Sequence, residues 1–76
     1  MPTLKQLSSG TINVYAADHP PPHFHVRGKD GRELKLAIPS LVPLVGNVSP
    51  ALRREAEDWA RKNMAALQAE WKRLNP

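Results

Sequence analysis

The spacing of apolar residues changes period once along the chain, at Ser49-Pro50, and this change constrains the fold more than any other feature. Before it, apolar residues alternate: Ile12, Val14 and Ala16, then Phe24 and Val26, then Leu34, Leu36 and Ile38. A period of two puts each set on one face of a β-strand. After it, Leu52, Ala56, Trp59, Ala60, Met64, Leu67, Trp71 and Leu74 fall at three- and four-residue steps, which on an α-helix is a single core-facing stripe ~140° wide. Strands followed by helix predict an α+β domain, a three- or four-stranded antiparallel meander with a C-terminal helical segment packed on one face. Ser49 suits the N-cap and Pro50 the first helical position. An unbroken helix over residues 50–74 would measure ~37 Å, whereas a strand of five or six residues spans ~17–20 Å. The segment therefore either overhangs the sheet as one long helix or breaks near Asn63, a polar residue within the stripe that can cap a second piece. On the exposed side, Arg54-Asp58, Glu57-Arg61 and Asp58-Lys62 are spaced to pair.

Strands are predicted over residues 11–16, 23–27 and 32–38. Residues directly opposite in an antiparallel pair share a face. A two-residue Asp30-Gly31 turn would set Arg27 against Leu34 and mix polar with apolar faces. A three-residue loop, Lys29-Asp30-Gly31, sets Phe24 against Leu36 and Val26 against Leu34, with Gly31 in the left-handed conformation. His25 then lies opposite Lys35, and Arg27 opposite Glu33. Pro20, Pro21 and Pro22 fix φ and lack N–H groups, so they predict a stiff, extended corner outside the sheet. Residues 41–48 are apolar, and Pro43 confines any fourth strand there to a sheet edge or demotes it to a loop.

Seventy-six residues suffice for a single domain over 1–76 with a thin core, since so short a chain buries only ~60% of its unfolded surface. There is no cysteine, which rules out a disulfide framework and a thiolate metal site, and secreted domains this small usually carry disulfides. Residues 1–10 contain no apolar signal core, and no apolar run approaches the ~20 residues of a membrane span. These features point to a cytoplasmic setting with no membrane. The formal charge is +4. Five basic residues face three acidic ones in residues 1–48, and six face four in residues 49–76, so the excess is dispersed. A dispersed excess predicts weak, salt-dependent attraction to nucleic acid.

All three histidines fall in one short run, Asp18-His19-Pro-Pro-Pro-His23-Phe24-His25. Alternation puts His23 and His25 on the solvent face of their strand, ~6.6 Å apart, with Phe24 and Val26 facing the core. Asp18 and His19 sit at the mouth of that face, and Arg27 and Lys35 share it. Three readings stand open for this surface of Asp18, His19, His23, His25, Arg27 and Lys35. It is a polar binding or structural surface, as any strand face can carry a His-x-His by chance. Or Asp18, His19, His23 and His25 hold a divalent metal through imidazole nitrogen and carboxylate. Or His23 and His25 act as general base and acid, with Arg27 or Lys35 holding a phosphate, as in a metal-free phosphodiesterase or ribonuclease. No hydrolytic triad pattern and no phosphate-cradling glycine loop is visible. Trp59 and Trp71 lie on the apolar stripe and read as core, while Tyr15 falls near the histidines if the strands form a meander.

The run from Asp18 to Val26 resembles the bacterial domain of unknown function 4160 family. Its members begin Met-Pro-Thr, as Met1-Pro2-Thr3 does, carry Asp-His and Pro-Pro-His-Phe-His, and end in a helix with two spaced tryptophans, like Trp59 and Trp71. The likeness extends over nearly the whole chain. It implies a small bacterial cytoplasmic protein of unassigned activity, its gene paired with that of another small protein much as in toxin–antitoxin modules. It carries over no catalytic residues and no cofactor. The expectation is a non-enzymatic binding module working with a protein partner or as a homodimer, with residues 41–45 as an edge for strand addition. The alternatives are a small histidine-dependent enzyme and a metal-binding domain.

Overall fold

The computed structural model describes residues 3–76. Met1 and Pro2, part of the resemblance noted above, lie outside the described residues. Five strands, β1 (Thr3–Gln6), β2 (Gly10–Asn13), β3 (His23–Gly28), β4 (Glu33–Ala37) and β5 (Pro43–Gly46), precede two helices, α1 (Pro50–Lys62) and α2 (Met64–Leu74). The strands form one antiparallel sheet in the order β1-β2-β3-β4-β5. The α+β class and the strands-then-helices order are as expected, with five strands rather than three or four. β1 escapes a pattern search because Leu4 is its one strongly apolar residue and its pairing with β2 shifts register after Thr3. β5 is a sheet-edge strand beginning at Pro43, where a missing N–H costs no ladder bond.

The central hairpin has the predicted register, with Phe24 opposite Leu36, His25 opposite Lys35, Val26 opposite Leu34 and Arg27 opposite Glu33. Its three-residue loop closes through the Gly28 N–H on the Arg32 carbonyl at 2.8 Å, with Gly31 at φ +91°. The strand expected over residues 11–16 ends sooner, at Asn13. Val14 is still buried, but the chain then turns, with Ala17 at φ +55°, and Ala16 is exposed rather than in the core. The proline corner is bent at Pro20 and Pro21 and not extended.

Ile12, Phe24, Val26, Leu34 and Leu36 from the sheet pack against Leu52, Ala56 and Ala60 of α1 and Leu67 of α2. Gly10 and Gly28 are cross-strand partners; a β-carbon on Gly10 would press on the Leu52 methyl group, while one on Gly28 would only touch it and would crowd the Asp30 carboxylate instead, so Gly10 is the notch that seats α1. The Ser49 hydroxyl caps α1 by accepting from the Leu52 N–H at 3.2 Å. Of the predicted surface pairs, Glu57 and Arg61 approach to 3.8 Å, while Asp58 pairs with Arg61 at 3.2 Å.

Of the two expected outcomes, an overhanging helix and a break near Asn63, the chain takes the break: α1 ends at Lys62 and α2 begins at Met64. Asn63 acts on the first piece rather than the second. Its side chain donates to the Trp59 carbonyl at 2.8 Å, satisfying the end of α1, and makes no side-chain cap on α2. After the break α2 runs past one end of the sheet, where Gln68 and Trp71 flank Pro22, Ile38 and Pro39. No helix among the described residues is long and apolar enough to cross a membrane.

Candidate functional site

Both faces of β3 are covered from His23 to Val26. Phe24 and Val26 are fully buried, as alternation demands, but His23 and His25 are only 5% and 7% exposed. The expectation of a solvent-facing histidine surface is therefore corrected. The cover comes from residues that strand periodicity cannot see. Trp71 of α2 lies over His23 with ring centroids 5.1 Å apart, and Tyr15 meets His25 edge-on at 4.4 Å. Asn75, just beyond α2, fastens this cover. It accepts from the Asp18 N–H at 2.7 Å and donates to the Tyr15 carbonyl at 3.0 Å.

Beneath the cover, Asp18 turns its carboxylate onto both imidazoles. Its Oδ2 lies 3.0 Å from His23 Nε2 and 3.1 Å from His25 Nε2. Its Oδ1 accepts from the His19 N–H at 2.9 Å, which fixes the carboxylate plane. The far nitrogens also meet oxygens. His23 Nδ1 is 2.7 Å from the Pro21 carbonyl, and His25 Nδ1 is 3.4 Å from Glu33 Oε2. A carbonyl can only accept, so His23 Nδ1 carries a proton. His25 Nε2 donates to Asp18. His23 Nε2, despite its closeness to Asp18, makes no angularly acceptable hydrogen bond and is buried without one, as is His25 Nδ1. Burial pushes the Asp18 carboxyl up. The His25 hydrogen bond, the His19 N–H and the two imidazoles together outweigh it and hold the group below the ordinary aspartate range.

Of the residues singled out in the sequence, Asp18, His23 and His25 converge, with one donor atom from each within 4.8 Å of the others. The side chain of His19 does not join them. That residue is exposed, and its part in the cluster is its backbone N–H. Arg27 is exposed and Lys35 partly so, and among the described residues no hydrogen bond or ion pair joins either to the cluster. The expected six-residue surface thus separates into a buried triad and outlying cations. The residues that sequence reasoning missed are Asn75, Trp71 as a cover, and Glu33 as the outer partner of His25. Asn75 lies 57 residues from Asp18, and no local pattern announces such a contact. Glu33 could have been found, because the register already set it diagonally across from His25 on the same face.

Asp18 also borders an open groove of about 530 Å³ lined by Ala17, Pro20, Trp71, Leu74 and Asn75. A second feature lies at the opposite edge of the sheet from β1. Val42, Leu44 and Val45 are the large hydrophobic residues exposed among the described residues, at 53%, 42% and 57%, and all three fall in or beside β5. Residues 36–52 contain no charged side chain.

Residues 11–72 match one protein family, described as a domain of unknown function, DUF4160. No curated protein and no solved structure matches the chain.

Proposed function

We propose that this chain, which belongs to the DUF4160 family, is a non-enzymatic binding module that receives an extended, apolar segment of a protein partner along β5. The observation that carries this reading is an unguarded edge. β5 pairs with β4 on one side only, and it bears Val42, Leu44 and Val45 exposed. Sheet edges are ordinarily protected by lysines, inward charges or several prolines. Here Pro43 stands alone, and the nearest charged residues are Lys35 and Arg53. Strand addition would satisfy the free backbone groups while burying those side chains.

Burial of His23 and His25 weighs against the ribonuclease-like alternative, since a phosphodiester must touch both the base and the acid. The dispersed cations support, at most, a weak and salt-dependent contact with nucleic acid. The chain then serves as one half of a two-protein regulatory pair in the bacterial cytoplasm.

The test compares wild type with Val45→Lys and Leu44→Lys, substitutions at exposed positions that leave the core intact. A single protein should co-purify with wild type from the native host, re-form a stoichiometric complex when both are purified, and be lost with both lysine variants. Its retention by the lysine variants would refute the β5 reading. Wild-type dimers abolished by those variants, with no second protein, would replace the partner by a second copy of this chain.

A further inference from the structure

We infer that Asp18, His23 and His25 bind one divalent transition-metal ion of the zinc class, a site independent of the β5 edge. The argument starts from His23 Nε2. This atom lies in a side chain only 6% exposed, 3.0 Å from a carboxylate oxygen, without hydrogen-bond geometry toward it. Because Nδ1 holds its proton against the Pro21 carbonyl, the neutral ring presents a lone pair at Nε2. A buried lone pair that no donor meets, 3.0 Å from a carboxylate oxygen, is unfavourable unless a cation lies close to both.

The rest of the cluster has the orientation of metal-ligating histidines. Such residues turn one ring nitrogen to the ion and donate from the other to a carbonyl or carboxylate, which fixes tautomer and ring plane. His23 does this with the Pro21 carbonyl and His25 can do so with Glu33, 3.4 Å from its Nδ1. Both Nε2 atoms are left facing Asp18 Oδ2. Atoms bonded to one ion at ~2.0–2.2 Å lie about 3–3.5 Å apart. Asp18 already stands at 3.0 and 3.1 Å from the two nitrogens, and the widest donor separation is within 4.8 Å. Ion binding thus needs only a small inward movement and transfer of the His25 proton from Nε2 to Nδ1, where Glu33 can accept it. Two imidazoles and one carboxylate suit zinc, cobalt(II) or iron(II), and not magnesium or calcium, which take mainly oxygen ligands. Three protein ligands leave a coordination position open, and Asp18 is shared with the groove beside Trp71, through which water or a small ligand reaches the ion.

The experiment uses the full chain made without a histidine tag and stripped by a chelator. Zn²⁺ is followed by calorimetry, and Co²⁺ by its visible d–d absorption and by quenching of Trp71, which lies over His23. One ion per chain should bind, raising the melting temperature. His25→Gln and Asp18→Asn should weaken binding by more than ~100-fold, and Glu33→Gln by ~10-fold or more. His19→Ala should leave it unchanged. Glu33 is exposed, so its variant folds and keeps the test decisive if a ligand variant does not. Two results overturn the site: no saturable uptake of either ion, or uptake abolished by His19→Ala and indifferent to Glu33→Gln.

Discussion

Gly31 and Gly46 both sit at positive φ, +91° and +83°, yet alanine should act very differently at the two. At Gly31 an added methyl meets nothing within 4 Å, so the cost is the left-handed backbone alone, ~1–2 kcal/mol. In a domain of this size, each kcal/mol lowers the melting temperature by ~4–8 °C. At Gly46 the same conformational cost applies, and the methyl would also overlap the carbonyl oxygen of Glu33. That oxygen belongs to the backbone of β4, so it cannot swing aside as a side chain would. Relief requires β5 to lift where Gly46 opposes Leu34, at a further ~0.5–1.5 kcal/mol for each ladder bond given up. The expected total at Gly46 is about 2–4 kcal/mol, a large share of the ~4–11 kcal/mol typical of a domain this long. Urea denaturation of both variants gives the ranking, and hydrogen exchange locates it: β5 amides should lose protection in Gly46→Ala and keep it in Gly31→Ala. Equal stabilities, with β5 still protected in both, would refute the close approach of β5 to Glu33.

Trp71→Ala should cost ~3 kcal/mol by thermal melting and, with its cover over His23 removed, make the His23 ring reactive toward diethyl pyrocarbonate, whereas Trp59→Ala leaves that ring shielded. Asn75→Ala should lower stability by ~1–2 kcal/mol through loss of its bonds to Asp18 and Tyr15, and equal stability to wild type would remove it as the fastener. Glu55 accepts from the Ser8 hydroxyl at 2.6 Å and its N–H at 3.2 Å, and the hydroxyl bond, then the N–H, holds its carboxyl below the ordinary glutamate value of about 4.5. A depressed pKa means its contribution is complete above that value and fades as pH falls through the folded one. The melting difference between wild type and Glu55→Gln should accordingly shrink on acidification below pH 4.5, and a constant difference would contradict the contact.

Local patterns made most of the sheet and helices legible. The register of β3 on β4 followed from parity alone, since a one-residue slip would have set Arg27 against Leu34. The Ser49 cap followed from helix chemistry, whereas length left an overhanging helix and a break near Asn63 both open. The environment of the histidines did not follow. Alternation shows that His23 and His25 share a face opposite Phe24, but it cannot show that the face is covered. The cover depends on where α2 travels after Asn63, and that is set by packing of Leu67 and Trp71 around Ile38 and Pro22. The same limit explains His19. Its spacing matches a ligand set, but its ring is exposed, and only its backbone N–H, next along the chain, meets the Asp18 carboxylate.

The sheet order repeats the order of the sequence, and this sets a timetable for the triad. Each strand finds its partner as soon as both have been made, whereas the ring that covers His23 belongs to a helix that begins only at Met64. Until that helix docks, the paired β3–β4 hairpin leaves His23 without its Trp71 cover. Whatever occupies the space beside Asp18 can enter then without opening anything. Afterwards the approach that remains is past Asp18, which borders the groove beside Trp71, and local unfolding of α2 opens a second one over His23.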